Sequence, residues 1–155
     1  MVPRKARSLA ALGLVALAAA GTGTMAAGHV AQAAPALVKT TPAHILVNAR
    51  GMALYVYAPD KKNTSECYGK CAAFWPPVTV GAGVRVPATM AGLGGTFGTT
   101  KRTDGTRQLT YDGVPLYTFV KDKDPEDRYG QGLDVAGGYW WLVVVNAPAS
   151  GTSGS

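Results

Sequence analysis

A ten-residue pattern occurs twice in this chain, 62 residues apart. Gly51-Met52-Ala53-Leu54-Tyr55-Val56-Tyr57-Ala58-Pro59-Asp60 is answered by Gly113-Val114-Pro115-Leu116-Tyr117-Thr118-Phe119-Val120-Lys121-Asp122. Each copy reads glycine, two variable residues, Leu-Tyr, one variable residue, an aromatic, two more variable residues and Asp. Two further matches follow in the same order. Tyr68-Gly69-Lys70-Cys71 corresponds to Tyr129-Gly130-Gln131-Gly132, and Phe74-Trp75-Pro76-Pro77-Val78 to Tyr139-Trp140-Trp141-Leu142-Val143. Recurrence of whole blocks in one order marks a structural unit used twice. The fold must therefore seat two related units, here about residues 44–85 and 107–146, inside one domain of residues 44–146. The second unit has lost the cysteines.

The repeated blocks read as strands. Residues 45–47 and 53–57 flank a turn at 48–51. Residues 107–111 and 116–120 flank Asp112-Gly113, and residues 101–103 reach 107 through Asp104-Gly105. Asp-Gly between β-branched and aromatic runs is a strong hairpin signal. Tyr139 to Val145, dense in aromatics and valines, reads as a central strand. Glu66 to Phe74 alone looks helical, and Pro76 and Pro77 end it because proline cannot continue a helix. The expected fold class is mostly β: a small sandwich or barrel-like domain of two tandem hairpin repeats, with one short disulfide-linked helical turn. Strand alternation gives each motif two faces. Leu54 and Val56 oppose Tyr55 and Tyr57; Leu116, Thr118 and Val120 oppose Tyr117 and Phe119. The aromatic faces are either covered, with their hydroxyls satisfied, or joined as a shared binding surface.

The first 33 residues read as a cleavable signal peptide. Arg4, Lys5 and Arg7 form a basic start, residues 8–20 are small and apolar, and Ala31-Gln32-Ala33 offers small residues before a cut. The apolar run is short for a bilayer span. Cleavage there leaves residues 34–43 as a linker and 147–155 as a flexible tail, with no further transmembrane span. The three basic residues of the leader carry half of the net charge of +6. What remains is scattered, without the basic stripe of a nucleic-acid binder. The expected location is extracytoplasmic, secreted or in the cell envelope.

Cys67 and Cys71 are the two cysteines. In an oxidising compartment they are expected to form a disulfide. A redox pair, or a metal site completed by His44, are the other readings.

The two motif copies, Tyr55-Val56-Tyr57-Ala58-Pro59-Asp60 and Tyr117-Thr118-Phe119-Val120-Lys121-Asp122, resemble the tandem "secreted repeat of unknown function" of bacterial lipoproteins. Cys67-Tyr68-Gly69-Lys70-Cys71 followed by Trp75-Pro76-Pro77, the run from Tyr111 to Tyr117 and Gly130-Gln131-Gly132 fit the same family. The resemblance spans roughly residues 44–145. It implies a location outside the cytoplasm and carries no established activity. Family members are often lipid-anchored; this chain has no cysteine at the expected cut.

The supply of catalytic groups is thin. Ser65 and His44 are the serine and histidine of the expected domain, too few for a triad unless they meet. Asp60 and Asp122 are equivalent carboxylates: each either accepts backbone N–H bonds in a turn, or the two act together as the acid and base of a hydrolase. Asp122, Asp124, Glu126 and Asp127 form an acidic loop that reads as a solvated turn or a calcium loop without its glycine. No cofactor fingerprint is present. The reading that follows is a non-catalytic secreted or envelope module that binds an unknown partner or ligand. A hydrolase with paired carboxylates, or a redox or metal-binding envelope protein, is the alternative.

Overall fold

The computed structural model describes residues 36–146. The expected leader, at 1–33, and the tail, at 147–155, lie outside the described residues. No described helix is long and apolar enough to cross a membrane. Among the described residues nine strands and one helix follow in order: β1 (Val38–Thr40), β2 (Leu46–Asn48), β3 (Tyr55–Tyr57), α1 (Lys70–Phe74), β4 (Thr79–Val80), β5 (Phe97–Lys101), β6 (Arg107–Tyr111), β7 (Val114–Pro115), β8 (Asp134–Val135) and β9 (Gly138–Leu142). They make three small sheets: β1-β2, β3-β9-β8 and β4-β6-β5, with β7 also on β6. None of the three closes into a barrel.

Several expectations are met. The Asp112-Gly113 turn, at φ of +49° and +82°, joins β6 to β7 as a hairpin. β5 and β6 pair from Lys101↔Arg107 to Phe97↔Tyr111. β9 is the central strand of its sheet. Others are corrected. The stretch 34–43 is not simply a linker, because β1 pairs with β2 and its Val38 is buried. β1 is the counterpart of β5 in the second repeat. Three residues beside Pro42 carry too little alternation to be read as a strand. The helix does not begin at Glu66. Gly69, at φ +56°, lies in the left-handed region and starts a helix of five residues.

The first hairpin is also cut short. The Asn48 side chain caps its turn, its Oδ1 accepting the N–H groups of Arg50 and Met52. The arms meet at Val47↔Ala53. Beyond that point β3 leaves β2 and pairs with β9, Tyr55↔Leu142 to Tyr57↔Trp140. The matching stretch 116–120 does not form a regular strand. Its partner is Pro76-Pro77, which lacks N–H donors. Along this run the contacts with 74–78 are the bridge Pro77↔Tyr117 and the bonds from Val78 N–H to the Leu116 carbonyl, from Thr118 N–H to the Pro76 carbonyl and from Val120 N–H to the Phe74 carbonyl.

The two repeats are intertwined rather than side by side. Leu46 N–H donates to the Val143 carbonyl (2.8 Å), Val143 N–H to Leu54 (3.0 Å) and Leu54 N–H to Leu46 (3.0 Å). The second half repeats this ring: Leu109 to Val78 (2.8 Å), Val78 to Leu116 (2.9 Å) and Leu116 to Leu109 (3.0 Å). Each ring takes two leucines from one repeat and a valine from the other, so each repeat's last segment completes the other half. The six side chains are buried or half-buried in one aliphatic core together with Val38, Val80, Phe97 and Val145. A second core, on the other face of the motif strands, is aromatic.

Cys67 and Cys71 form the disulfide, with Cα atoms 5.3 Å apart. The bridge closes a five-residue loop whose entropy is worth about 2 kcal/mol. Reduction is expected to lower the unfolding free energy by about that amount and leave the fold in place. A urea titration with and without reductant checks this, and an unchanged midpoint would count against it.

Candidate functional site

Tyr55 and Tyr117 hold the same position in the two motifs, and they pair with each other. Tyr55 N–H donates to the Tyr117 carbonyl (2.8 Å) and Tyr117 N–H returns the bond (2.9 Å). A pseudo-twofold axis passes between them. Their side chains then reach across it. The Tyr55 hydroxyl donates to Asp122 Oδ2 at 2.6 Å, and the Tyr117 hydroxyl to Asp60 Oδ2 at 2.7 Å. Each tyrosine is thus satisfied by the aspartate of the other repeat.

This explains the motif's spacing. The strand sets the tyrosine and the second aromatic on one face. A turn then brings the aspartate back: Asp60 N–H bonds the Tyr57 carbonyl (3.0 Å) and Asp122 N–H the Phe119 carbonyl (3.2 Å). The second carboxylate oxygen of each fixes the loop that follows. Asp60 Oδ1 accepts Glu66 N–H at 2.7 Å, and Asp122 Oδ1 accepts Tyr129 N–H at 3.0 Å. Burial, reinforced by the neighbouring carboxylate, pushes the Tyr55 and Tyr117 hydroxyls far above their ordinary pKa, so both remain donors.

The second aromatics complete the symmetry. Trp75 and Trp140, which correspond between repeats, stack on each other at 3.8 Å with planes 2° apart. Tyr57 stacks on the outer side of Trp140 at 4.4 Å, and Phe119 on the outer side of Trp75 at 4.1 Å. Tyr55 meets Trp75 edge-on at 5.3 Å, and Tyr117 meets Trp140 edge-on at 5.1 Å. Gly130 makes room for this column, since a Cβ there would lie 2.6 Å from Trp75 and 2.8 Å from Tyr55. The notion of an exposed aromatic surface is overturned at the motif: Tyr55 and Tyr117 are 0% exposed, and Tyr57 and Phe119 at most 7%. The aliphatic and the aromatic core take up the two faces.

Sequence reasoning missed one group. Arg102, buried, donates to Ser65 Oγ (2.9 Å), Gln108 Oε1 (2.7 Å) and the Cys67 carbonyl (2.7 Å), and its guanidinium lies 4.2 Å from the Tyr68 ring. Ser65 in turn bonds the Tyr117 hydroxyl at 2.7 Å. Arg102 thereby ties the β5–β6 turn to the cysteine knuckle. It belongs to neither motif copy and has no counterpart in the first repeat, so no pattern in the sequence marks it.

The candidate catalytic groups are not brought together. Ser65 is buried in the Arg102 cluster, while His44 is exposed in the turn before β2 at φ +61°. In the acidic loop, Asp127 Oδ2 accepts the N–H groups of Lys123 and Asp124, as a turn does. Among the described residues no three His, Cys, Asp or Glu side chains are grouped for a metal.

Asp60 has a consequence for pH. Its burial outweighs the bonds from Glu66 N–H and Tyr117 and the charge of Arg102, and raises its pKa. The folded state then holds the Asp60 proton more tightly than the unfolded chain. That contribution to stability is full below about pH 3.9 and is lost as pH rises through the raised value. Asp104 and Asp127 run the other way: hydrogen bonds they accept lower their pKa, so their contribution is lost as pH falls below about 3.9. The stability difference between wild type and Asp60→Asn is therefore expected to favour wild type most at the acid end and to shrink toward pH 7. Urea midpoints of both proteins from pH 4 to 7 check the trend, and the reverse trend would refute it.

The halves differ at one motif position. The Tyr57 hydroxyl donates to the Ala136 carbonyl at 2.5 Å. Phe119, its equivalent, has no hydroxyl. Beside Phe119 runs a cleft of 360 Å³ walled by Phe74, Trp75 and Leu133. Neither Asp60 nor Asp122 lines it.

Comparison with known proteins agrees with the duplicated architecture. Neither the curated proteins nor the solved structures provide a match. A family model described as a secreted repeat of unknown function matches twice, over residues 37–79 and 98–144, together more than half of the chain. The first match begins at β1 and the second at β5, the strands that correspond between the halves. A secreted protein occupies the oxidising setting in which the Cys67–Cys71 bridge persists. With both motif copies interlocked about one axis and both covered by that model, the chain belongs to the family of secreted repeats of unknown function.

Proposed function

We propose that the protein is a non-catalytic extracytoplasmic binding module, free or held at the cell envelope, which takes its ligand in the cleft beside Phe119. The observation that carries this is the break in symmetry at positions 57 and 119. The Tyr57 hydroxyl bonds Ala136, whereas Phe119 has no hydroxyl, and beside Phe119 runs an apolar-walled cleft, lined in part by Ala136, within the size range of small-molecule sites. The motif carboxylates support a scaffold role. Each is engaged by a tyrosine hydroxyl and a backbone N–H, and Asp122 is only 6% exposed. Acid–base work on a glycoside would instead need both carboxylates facing a substrate.

The test uses the purified protein and Leu133→Trp, which fills the cleft. Each is incubated with small-molecule extract from the producing cells' envelope and medium, repurified and examined by native mass spectrometry. A bound mass is expected on wild type and not on Leu133→Trp, with matching circular dichroism. Wild type that returns without added mass would sink the reading.

A further inference from the structure

We infer that the cleft beside Phe119 takes an amphipathic anion, a single short acyl chain or ring system bearing a carboxylate. This rests on the cleft being the binding site, and it adds the chemistry of the ligand. Lys70 and Lys121 both line the cleft and are exposed, and no acidic residue lines it. The ion pair formed among the described residues is Lys61 with Glu66 at 3.3 Å, so neither cleft lysine is neutralised by a carboxylate there. Lys70 comes from the start of α1 and Lys121 from the turn that ends the second motif. The two repeats thus each supply one cation to a common apolar space. Its walls are Phe74, Trp75, Phe119 and Leu133, and Phe74 is 56% exposed.

A purely apolar ligand would bury those walls and leave both ammonium groups unused. A purely ionic one would leave the walls wet. A ligand with an apolar body and an anionic head uses both, the body through removal of apolar surface from water and the head through two point charges that impose little directional demand. At 360 Å³ the cleft suits one short chain or ring system. The paired chains of a bilayer lipid need more room, so the ligand is the free amphiphile.

Decanoate, decanol and phosphatidylglycerol vesicles are the probes. Each is titrated into the whole protein, the first two below their aggregation concentrations, with binding read by calorimetry and tryptophan fluorescence, since Trp75 walls the cleft. Decanoate is expected to bind about tenfold more tightly than decanol, the scale of two partly solvated ion pairs, and to weaken in high salt. Lys70→Gln/Lys121→Gln is expected to erase that preference while leaving decanol binding and the circular dichroism spectrum unchanged. Equal affinity for acid and alcohol overturns the inference, as does a preference that survives the double substitution or stronger binding to vesicles than to free decanoate. If neither decanoate nor decanol binds while the extract still delivers a mass to wild type, this inference fails and the binding reading stands.

Discussion

Trp140→Ala is expected to destabilise the domain by about 3–5 kcal/mol, the range for truncating a buried aromatic to alanine. The side chain is fully buried and has three aromatic neighbours. It stacks on Trp75 and Tyr57, takes the edge of Tyr117, and donates Nε1–H to the Val135 carbonyl at 3.2 Å. Alanine would leave a cavity at the centre of the column and take the indole donor away from the Val135 carbonyl. Against a total stability of about 5–15 kcal/mol for a domain of this size, that loss takes a large share. Its melting temperature should fall by roughly 10 °C or more. Trp75→Ala should cost nearly as much, because Trp75 occupies the equivalent place and stacks on Phe119 as Trp140 stacks on Tyr57. Phenylalanine at either position should recover part of the loss by keeping a stacked ring. Calorimetric melts of the four variants test the symmetry as well as the size. If either alanine variant melted within a few degrees of wild type, the column would not be the centre of the fold.

The repeat was legible because it is written in residues that must be identical in type to do the same job twice. Leu54 and Leu116 close equivalent hydrogen-bond rings, and Tyr55 and Tyr117 pair across the axis. The alternation of aliphatic and aromatic faces was equally plain, and the structure realises it as two cores. Three things were not legible. The exchange of terminal segments was hidden because the pairing of β3 with β9 and of Tyr117 with Pro77 joins positions far apart in the chain, and periodicity reports only local order. β1 was hidden by its length. Arg102 was hidden because its partners, Ser65, Gln108 and the Cys67 carbonyl, are neutral and scattered, so no charge pattern announces a buried cation. At the candidate site the motif residues stood out, but their roles did not. Spacing placed Tyr and Asp at fixed offsets within one copy; only the fold shows that each bonds to the other copy.

That cross-bonding makes the two aspartates unequal under substitution, although they occupy equivalent positions. Asp122 is 6% exposed and serves as the acceptor for the Tyr55 hydroxyl, while Gly130 N–H already donates to that hydroxyl at 3.3 Å. In Asp122→Asn the single amide oxygen can hold Tyr129 N–H or the tyrosine proton, and the NH₂ group takes the other place. One buried donor is then stranded. Loss of a charge-assisted bond together with an unsatisfied buried donor is worth about 3 kcal/mol. Asp60→Asn poses the same geometric problem for Tyr117, but Tyr117 has an alternative: its hydroxyl lies 2.7 Å from Ser65 Oγ and can donate there in place of the longer 3.2 Å bond from Cys67 N–H, while the Ser65 proton turns to the Cys67 carbonyl. Asp60 is also more exposed, so water can serve its amide, and the variant no longer has a desolvated charge to carry. Its cost at neutral pH should be about 1 kcal/mol or less. The order is thus Asp122→Asn well above Asp60→Asn, and Ser65→Ala added to Asp60→Asn should close much of the gap by removing the substitute acceptor. Chemical denaturation of the three variants at pH 7 decides it. Equal costs for the two asparagine variants would mean that Ser65 does not take the Tyr117 proton, and that the symmetric pairs, rather than their unequal surroundings, set the energetics of the motif.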